Sequence, residues 1–402
     1  MLNKSYEHIN HNVISAYILL FFLALAIIVS NSSFYEEYIN IVNLPISLGV
    51  GKMLINISFF DLVNDGLMAF FFLLLGLEMK YHMVLGEYQD KKKLILPVVT
   101  AIGGLIVPAL IYVFFNYKQD TIGGWAIPIA TDTAFVLCIL SFFGNKIPLA
   151  LRVFIIGFSL IDDALAIIIL AIFYTPDINF IALGVSVALV GVLILLNYFS
   201  VKKCSYYLFI GILLWIAILQ VGAHGTIAGI ILALFIPVKI ENSNISPNKQ
   251  LEESLTTFVH YIILPIFVFI NSEIVFSNIN IDSLFSNLSL GIILGLFLGK
   301  QVGIFIFSYA AVKLKFCSLP NYTSWIMYYA VGILSGIGFT LSLFIGSLCF
   351  FEQDHINTMR FAIILASLLS AILGIILIKY ERSICNKFPF FDNEDSKINN
   401  PC

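Results

Sequence analysis

Twelve stretches of this chain are apolar enough, and long enough, to cross a lipid bilayer, and that feature narrows the fold more than any other. A hydrocarbon core ~30 Å thick needs roughly 20 apolar residues in helix. The runs cover approximately 14–30, 59–86, 94–116, 122–144, 148–174, 179–200, 206–220, 222–237, 255–274, 288–312, 325–350 and 356–380. The first is too long for the apolar core of a secretory signal and has no small-x-small cleavage site, so it counts as a span. Runs seven and eight are short and divided only by Gln220, Val221 and Gly222, so they are open to a different joining. Charged residues make up 11% of the chain, against ~25% in soluble domains. The net charge of -3 is small and dispersed, which excludes the clustered basic footprint of a nucleic-acid binder. Six cysteines stand singly, without CxxC or a histidine at ligand spacing, so neither a zinc site nor a disulfide framework is expected.

The pattern predicts an all-α polytopic membrane protein, with residues 1–382 forming one transmembrane domain and 383–402 a polar, disordered tail. Lysine and arginine set its orientation, because cytoplasmic loops retain positive charge. Lys4, Lys80, Lys91, Lys92, Lys93, Lys146, Arg152, Lys202, Lys203, Lys239, Lys249, Lys313, Lys315, Lys379, Arg382, Lys387 and Lys397 all fall on one face, 17 of the 21 basic residues. Lys52, Lys118 and Arg360 fall on the other, and Lys300 lies inside a span. Both termini are therefore expected in the cytoplasm. The longest outside loop, 31–58, alternates apolar and polar residues over Tyr38 to Leu48 and Met53 to Phe59 around Gly49-Val50-Gly51, which reads as a β-hairpin. Its free edges suit pairing with a second copy, and a mere surface flap is the other reading.

A charge at the centre of a membrane costs ~2.5 to 3.5 kcal/mol on insertion scales, so ionisable residues there point to function. Asp132 lies near the middle of the fourth run, Asp162 and Asp163 near the middle of the fifth, and Lys300 at the middle of the tenth. At 1.5 Å per residue, all four fall within roughly 3 Å of the midplane. Neighbouring helical residues point ~100° apart, so one of Asp162 and Asp163 can pair with Lys300 while the other faces a watery cavity. Buried salt bridges alone do not explain the set. Three carboxylates against one ammonium leave two acids unneutralised, and unpaired charge in hydrocarbon destabilises.

Two runs are interrupted at that same depth. In the fourth, Pro128 removes a backbone donor, and Thr131, Asp132 and Thr133 carry side chains that compete for backbone groups. In the eleventh, Gly332, Ser335, Gly336 and Gly338 surround the midpoint. Irregular backbone at that depth is tolerated only where it lines a cavity or is buried in protein. One break in each half suggests an inverted-repeat transporter built from runs 3–5 and 10–12. Two positive helix ends then meet on one side of the crossing, where Asp132 would compensate them. Two negative ends meet on the other, where Lys300 would. Gly291, Gly295 and Gly299 read instead as close helix packing, a reading that also competes for the glycines of the eleventh run.

Five segments, FFLLLGLEMK (71–80), GWAIPIATDTAF (124–135), IDDALAIIILAIFYT (161–175), GTIAGIILALFIP (225–237) and GILSGIGFTLSLF (332–344), resemble the NhaA-type sodium/proton antiporters, in order and over about residues 14–380. The resemblance implies electrogenic exchange of cytoplasmic sodium or lithium for external protons in a bacterial inner membrane, with no cofactor, and a homodimer joined through the outside hairpin. It places the ion-binding pair on Asp162 and Asp163, with Asp163 the main cation ligand. It places dipole compensation on Asp132 and Lys300, with Thr131, Gly336 and Gly338 in support. It places pH response on Glu78, His224 and Glu252; His82 is a further candidate from its own chemistry, since an unperturbed pKa of ~6.5 permits a switch, and a surface histidine is the other reading. Tyr81, His82 and Glu253 depart from the family's common residues, so its activation pH is not carried over. The mechanism implied is competition: the acid holds either a proton or a sodium ion, and the cation requires it ionised.

Three rivals remain at this level. Sodium-coupled uptake of an organic solute would require that solute for cation flux. An intramembrane aspartyl protease needs an acid after a Gly-x-Gly turn, and Gly336-Ile337-Gly338 is followed by Phe339. A nucleotide-driven pump needs P-loop spacing, which Gly295 to Gln301 lacks.

Overall fold

The computed structural model describes residues 2–50, 53–86, 91–174, 179–239, 246–276 and 281–387. Among them, nine helices are long and apolar enough to cross a membrane, or up to eleven if each of two bent pairs is one span. The bent pairs are Ile14–Ser30 with Tyr35–Val42, at 117°, and Trp325–Leu334 with Phe339–Cys349, at 41°. The protein is a largely helical, multi-pass membrane protein. The chain divides into two compact units, one comprising residues 1–17, 90–166 and 274–402, the other residues 18–89 and 167–273.

The first unit holds two similar sets of three. Lys91–Asn116 is followed by the interrupted pair Asp120–Ile129 and Thr133–Phe142, then by Leu149–Phe173, which ends in the other unit. Farther along the chain, Asn287–Leu294, Gly295–Gly299 and Lys300–Lys313 run as one span, followed by the bent pair and by Gln353–Lys387. The two lead helices approach through glycine. A Cβ on Gly103 would strike Gly303 O, and one on Gly303 would strike Gly103 O. Gly299 packs in the same way, a Cβ there lying 2.8 Å from Pro108 Cα. Such contact needs residues without side chains, which is how small residues are used between membrane helices.

In the second unit, residues 31–58 are only partly a hairpin. Pro45–Val50 pairs antiparallel with Met53–Ser58, with Leu48 opposite Ile55. Tyr35–Val42, in contrast, is helical, not strand. Tyr38 and Val42 are buried while Asn40 between them is exposed, the pattern of a helix face and not of a strand, where all three would share one face. The Tyr38 hydroxyl donates to Phe269 O at 2.9 Å. Ser58 then starts the next helix with a capping box: its Oγ accepts from Asp61 N at 3.1 Å, and its own N–H donates to Asp61 Oδ2 at 2.9 Å.

Two other expectations shift. The run 222–237 is a ten-residue helix, Thr226–Phe235, only ~15 Å long. Gly222 adopts φ 90° at the end of Cys204–Val221, and a left-handed residue there closes a helix. The final helix continues to Lys387, so residues 383–387 of the expected tail are helical. The rest of that tail lies outside the described residues.

Candidate ion-binding site

Both interrupted spans lie in the first unit, and the sequence explains each break differently. Asp120–Ile129 is wound as a 3-10 helix with Pro128 inside it, Ala130 is extended, and Asp132 is the extended N-cap of Thr133–Phe142. The second break contains Ser335, Gly336, Ile337 and Gly338 between two α-helical halves. The segments meet through hydrogen bonds. Asp132 N donates to Ile337 O at 2.6 Å, Thr131 Oγ1 to Ser335 O at 2.9 Å, and Ser342 Oγ to Ile127 O at 2.9 Å. Backbone groups freed by each break are thus taken by the other, as a medium without water requires.

Asp132 serves the N-termini of both second halves, Thr133–Phe142 and Phe339–Cys349. Its Oδ1 accepts from Phe135 N at 3.4 Å. Its Oδ2 accepts from Thr340 N at 3.0 Å and from Thr340 Oγ1 at 2.5 Å. A carboxylate at a helix N-terminus is worth up to ~2 kcal/mol where partly buried. Lys300 is fully buried, and its Nζ meets both oxygens of Asp162, at 2.9 and 2.8 Å. It also donates to Ile129 O, at the carbonyl end of the 3-10 segment. The π-helical turn Gly295–Gly299 immediately precedes it, a distortion frequent at functional sites. Asp163, the next residue on its helix, is 6% exposed. Gly336 and Gly338 act by fit: a Cβ on Gly336 would lie 2.5 Å from Leu296 O, and one on Gly338 2.8 Å from Leu296 Cδ2.

A family model described as Na+/H+ antiporter 1 matches residues 6–378. The chain belongs to that family. It is 52% identical over 384 residues to the Na(+)/H(+) antiporter NhaA of Rickettsia massiliae, covering 94% of this chain and 95% of the relative. It is 42% identical over 356 residues to the NhaA of Campylobacter curvus, at 88% and 89% coverage. It is 44% identical over 364 residues to that of Salmonella arizonae, at 89% and 93% coverage. Membership places this antiporter-family protein among membrane transporters, not enzymes.

The four residues expected to respond to pH lie in the second unit and do not form one cluster. Glu78 and Glu252 are brought together with Lys249, which neither composition nor resemblance had singled out. Lys249 Nζ pairs with Glu252 Oε1 and lies 4.7 Å from the centre of the Tyr81 ring. Glu78 is within electrostatic reach of both Glu252 and Lys249. Glu252 Oε2 is buried without a hydrogen-bond partner among the described residues. His82, one turn after Glu78, sets its ring edge-on to Tyr81 at 5.8 Å. Glu253 is exposed.

His224 stands elsewhere. Its Nδ1 lies 3.6 Å from Asp65 Oδ1, which also accepts from Gly225 N at 3.2 Å. Asp65 O accepts from Trp215 Nε1 at 2.9 Å. Asp65 and Glu78 share the helix Phe59–Val84, and their thirteen-residue separation amounts to roughly 20 Å of rise. Sequence reasoning missed Asp65 because it sits near the start of its run, where a charge is inexpensive. It missed Thr340 because a threonine in an apolar helix carries no signal of its own.

Proposed function

We propose that this protein exchanges cytoplasmic sodium or lithium for external protons across a bacterial inner membrane, electrogenically, serving sodium and pH homeostasis. The observation that carries the reading is the bidentate hold of Lys300 on Asp162 beside a second acid, at a crossing where Asp132 already meets two helix ends. One acid of the adjacent pair is thereby committed to an ammonium. Asp163, buried beside that pair, is the group on which a proton and a sodium ion alternate, with Asp162 as the second ligand when Lys300 releases it. A buried carboxylate next to a second acid and an ammonium is balanced between holding a proton and holding a cation. Coupling then needs no further device: one site, two competitors, and a conformational switch permitted only when either is bound.

Within this reading Asp132 and Lys300 compensate the charged ends of the broken spans, while Thr131, Gly336 and Gly338 keep the crossing closed-packed. Glu78, His82, His224 and Glu252 adjust the response to pH. Twelve spans in inverted repeats, both termini in the cytoplasm and a homodimer joined through residues 31–58 complete the proposal, supported by the lysine distribution and by family membership. The test is dequenching of a pH-sensitive dye in everted vesicles on addition of sodium. Wild-type protein dequenches without any organic solute, and Asp163→Asn does not. Normal exchange in that variant would overturn the assignment.

A further inference from the structure

The helix turn that bears the acid pair carries another oxygen. Ser159 precedes Asp162 by three residues and Asp163 by four, so it lies on the same face one turn away, between the two acids in azimuth. It is 3% exposed. Opposite it stands Thr133, the first residue of the helix that Asp132 caps. Thr133 Oγ1 and Ser159 Oγ are hydrogen-bonded to each other. Thr133 is only half-buried, so the pair opens to its surroundings on one side. A hydroxyl has one proton and two lone pairs, so a mutual bond occupies a single lone pair and leaves three on the two oxygens. Phe158 and Leu160 flank Ser159, and Ala134 and Phe135 follow Thr133. Amid these apolar neighbours, the hydroxyls bridge the capped helix to the acid-bearing one.

We propose that Thr133 Oγ1 and Ser159 Oγ are cation ligands of the Asp162–Asp163 site, supplying neutral oxygens that contribute more to holding sodium than to holding lithium. The inference rests on the reading that Asp163 takes the cation. Ligand number and cavity size decide between hard cations, and the larger sodium ion is served by more oxygens than lithium. Two carboxylates, one of them held by Lys300, offer few. Neutral hydroxyls extend the set without adding charge in a medium where charge is expensive.

The experiment uses the full chain in proteoliposomes, with exchange followed by a pH dye over series of sodium and lithium chloride. Ser159→Ala and Thr133→Val raise the sodium KM about fivefold, as loss of one neutral oxygen contact implies. They raise the lithium KM by less than about twofold and leave the maximal rate nearly unchanged, because a contact made equally in ground and transition states appears in KM. Thr133→Ser keeps the hydroxyl and behaves as wild type. Ser159→Ala removes a single atom and carries the test alone if valine at 133 does not fold. Sodium and lithium KM values that rise equally, or do not change, overturn the proposal. So does a Thr133→Ser variant that behaves like Thr133→Val, because packing of the methyl group would then be at work. Failure of the underlying reading is distinct: wild-type vesicles would not exchange sodium for protons, or Asp163→Asn would exchange normally.

Discussion

The charges of the first unit and those of the second are held in different ways. At the crossing, Lys300 and Asp162 have side chains 0% and 2% exposed, and each is fixed by a separate helix. Asp132 is fixed by backbone N–H groups of two segments about two hundred residues apart in sequence. In the second unit, Lys249 and Glu252 are three residues apart on one helix, with side chains 26% and 6% exposed, so a buried acid leans on a half-open lysine. His224 and Asp65 are 21% and 24% exposed. A group held by many buried partners can have its ion-binding state set by the fold. A group held by few partners, at least one of them open to solvent, is fixed less firmly by the fold. In the proposed scheme the first arrangement serves the transported ions and the second the adjustment of rate to pH.

Asp163→Asn probes that contrast most sharply: sodium-driven proton movement falls to background in everted vesicles, while the protein still inserts and purifies. Lys300→Ala comes next. It leaves Asp162 buried without its cation, a change that costs ~3 to 5 kcal/mol in buried pairs, and the thermal unfolding midpoint in detergent drops by several degrees. Asp132→Asn keeps an oxygen that can accept from Phe135 N or Thr340 N but loses the charge that complements both helix ends. Exchange is impaired about tenfold rather than abolished, matching a dipole contribution of ~1 to 2 kcal/mol. Complete insensitivity would remove the compensation argument. Glu252→Gln has the smallest effect. The activation profile moves to lower pH by about 0.5 unit, the size of a part-exposed pair worth ~0.7 kcal/mol, because one fewer negative charge lets neighbouring groups shed protons earlier. The rate at the optimum stays within about twofold, since Glu252 binds no transported ion in this scheme. An equal loss at all pH values would place Glu252 with the crossing residues and erase the distinction.

What the sequence makes legible follows the same division. Asp132, Asp162, Asp163 and Lys300 stand out because lipid penalises charge, and Pro128 and the glycines of the second break stand out because they cannot continue a helix. The pairing of Lys300 with one member of the aspartate pair follows from 100° per residue and one ammonium, and the observed partner is Asp162. The contacts of Thr340 with Asp132 and of Asp65 with His224, and the electrostatic reach of Lys249 to Glu78, are not legible. The first two join distant residues, and the third depends on how two helices face each other. Local pattern also misleads where a segment is short. Tyr38 to Val42 sits in a stretch that alternates like a strand, yet Asn40, which would share a strand face with the buried Tyr38 and Val42, is exposed, and the Tyr38 hydroxyl reaches Phe269 O and Ile270 O from a helix.

The mutual stitching of the two breaks bears on how the protein tolerates its lipid. Residues 127–132 are tied to 335–342 by five bonds from backbone and side chain alike, so the crossing has little freedom to stretch along the membrane normal. A bilayer with longer or shorter acyl chains is accommodated by tilt of the outer helices, and the spacing of the oxygens around the acid pair is preserved as membrane thickness varies.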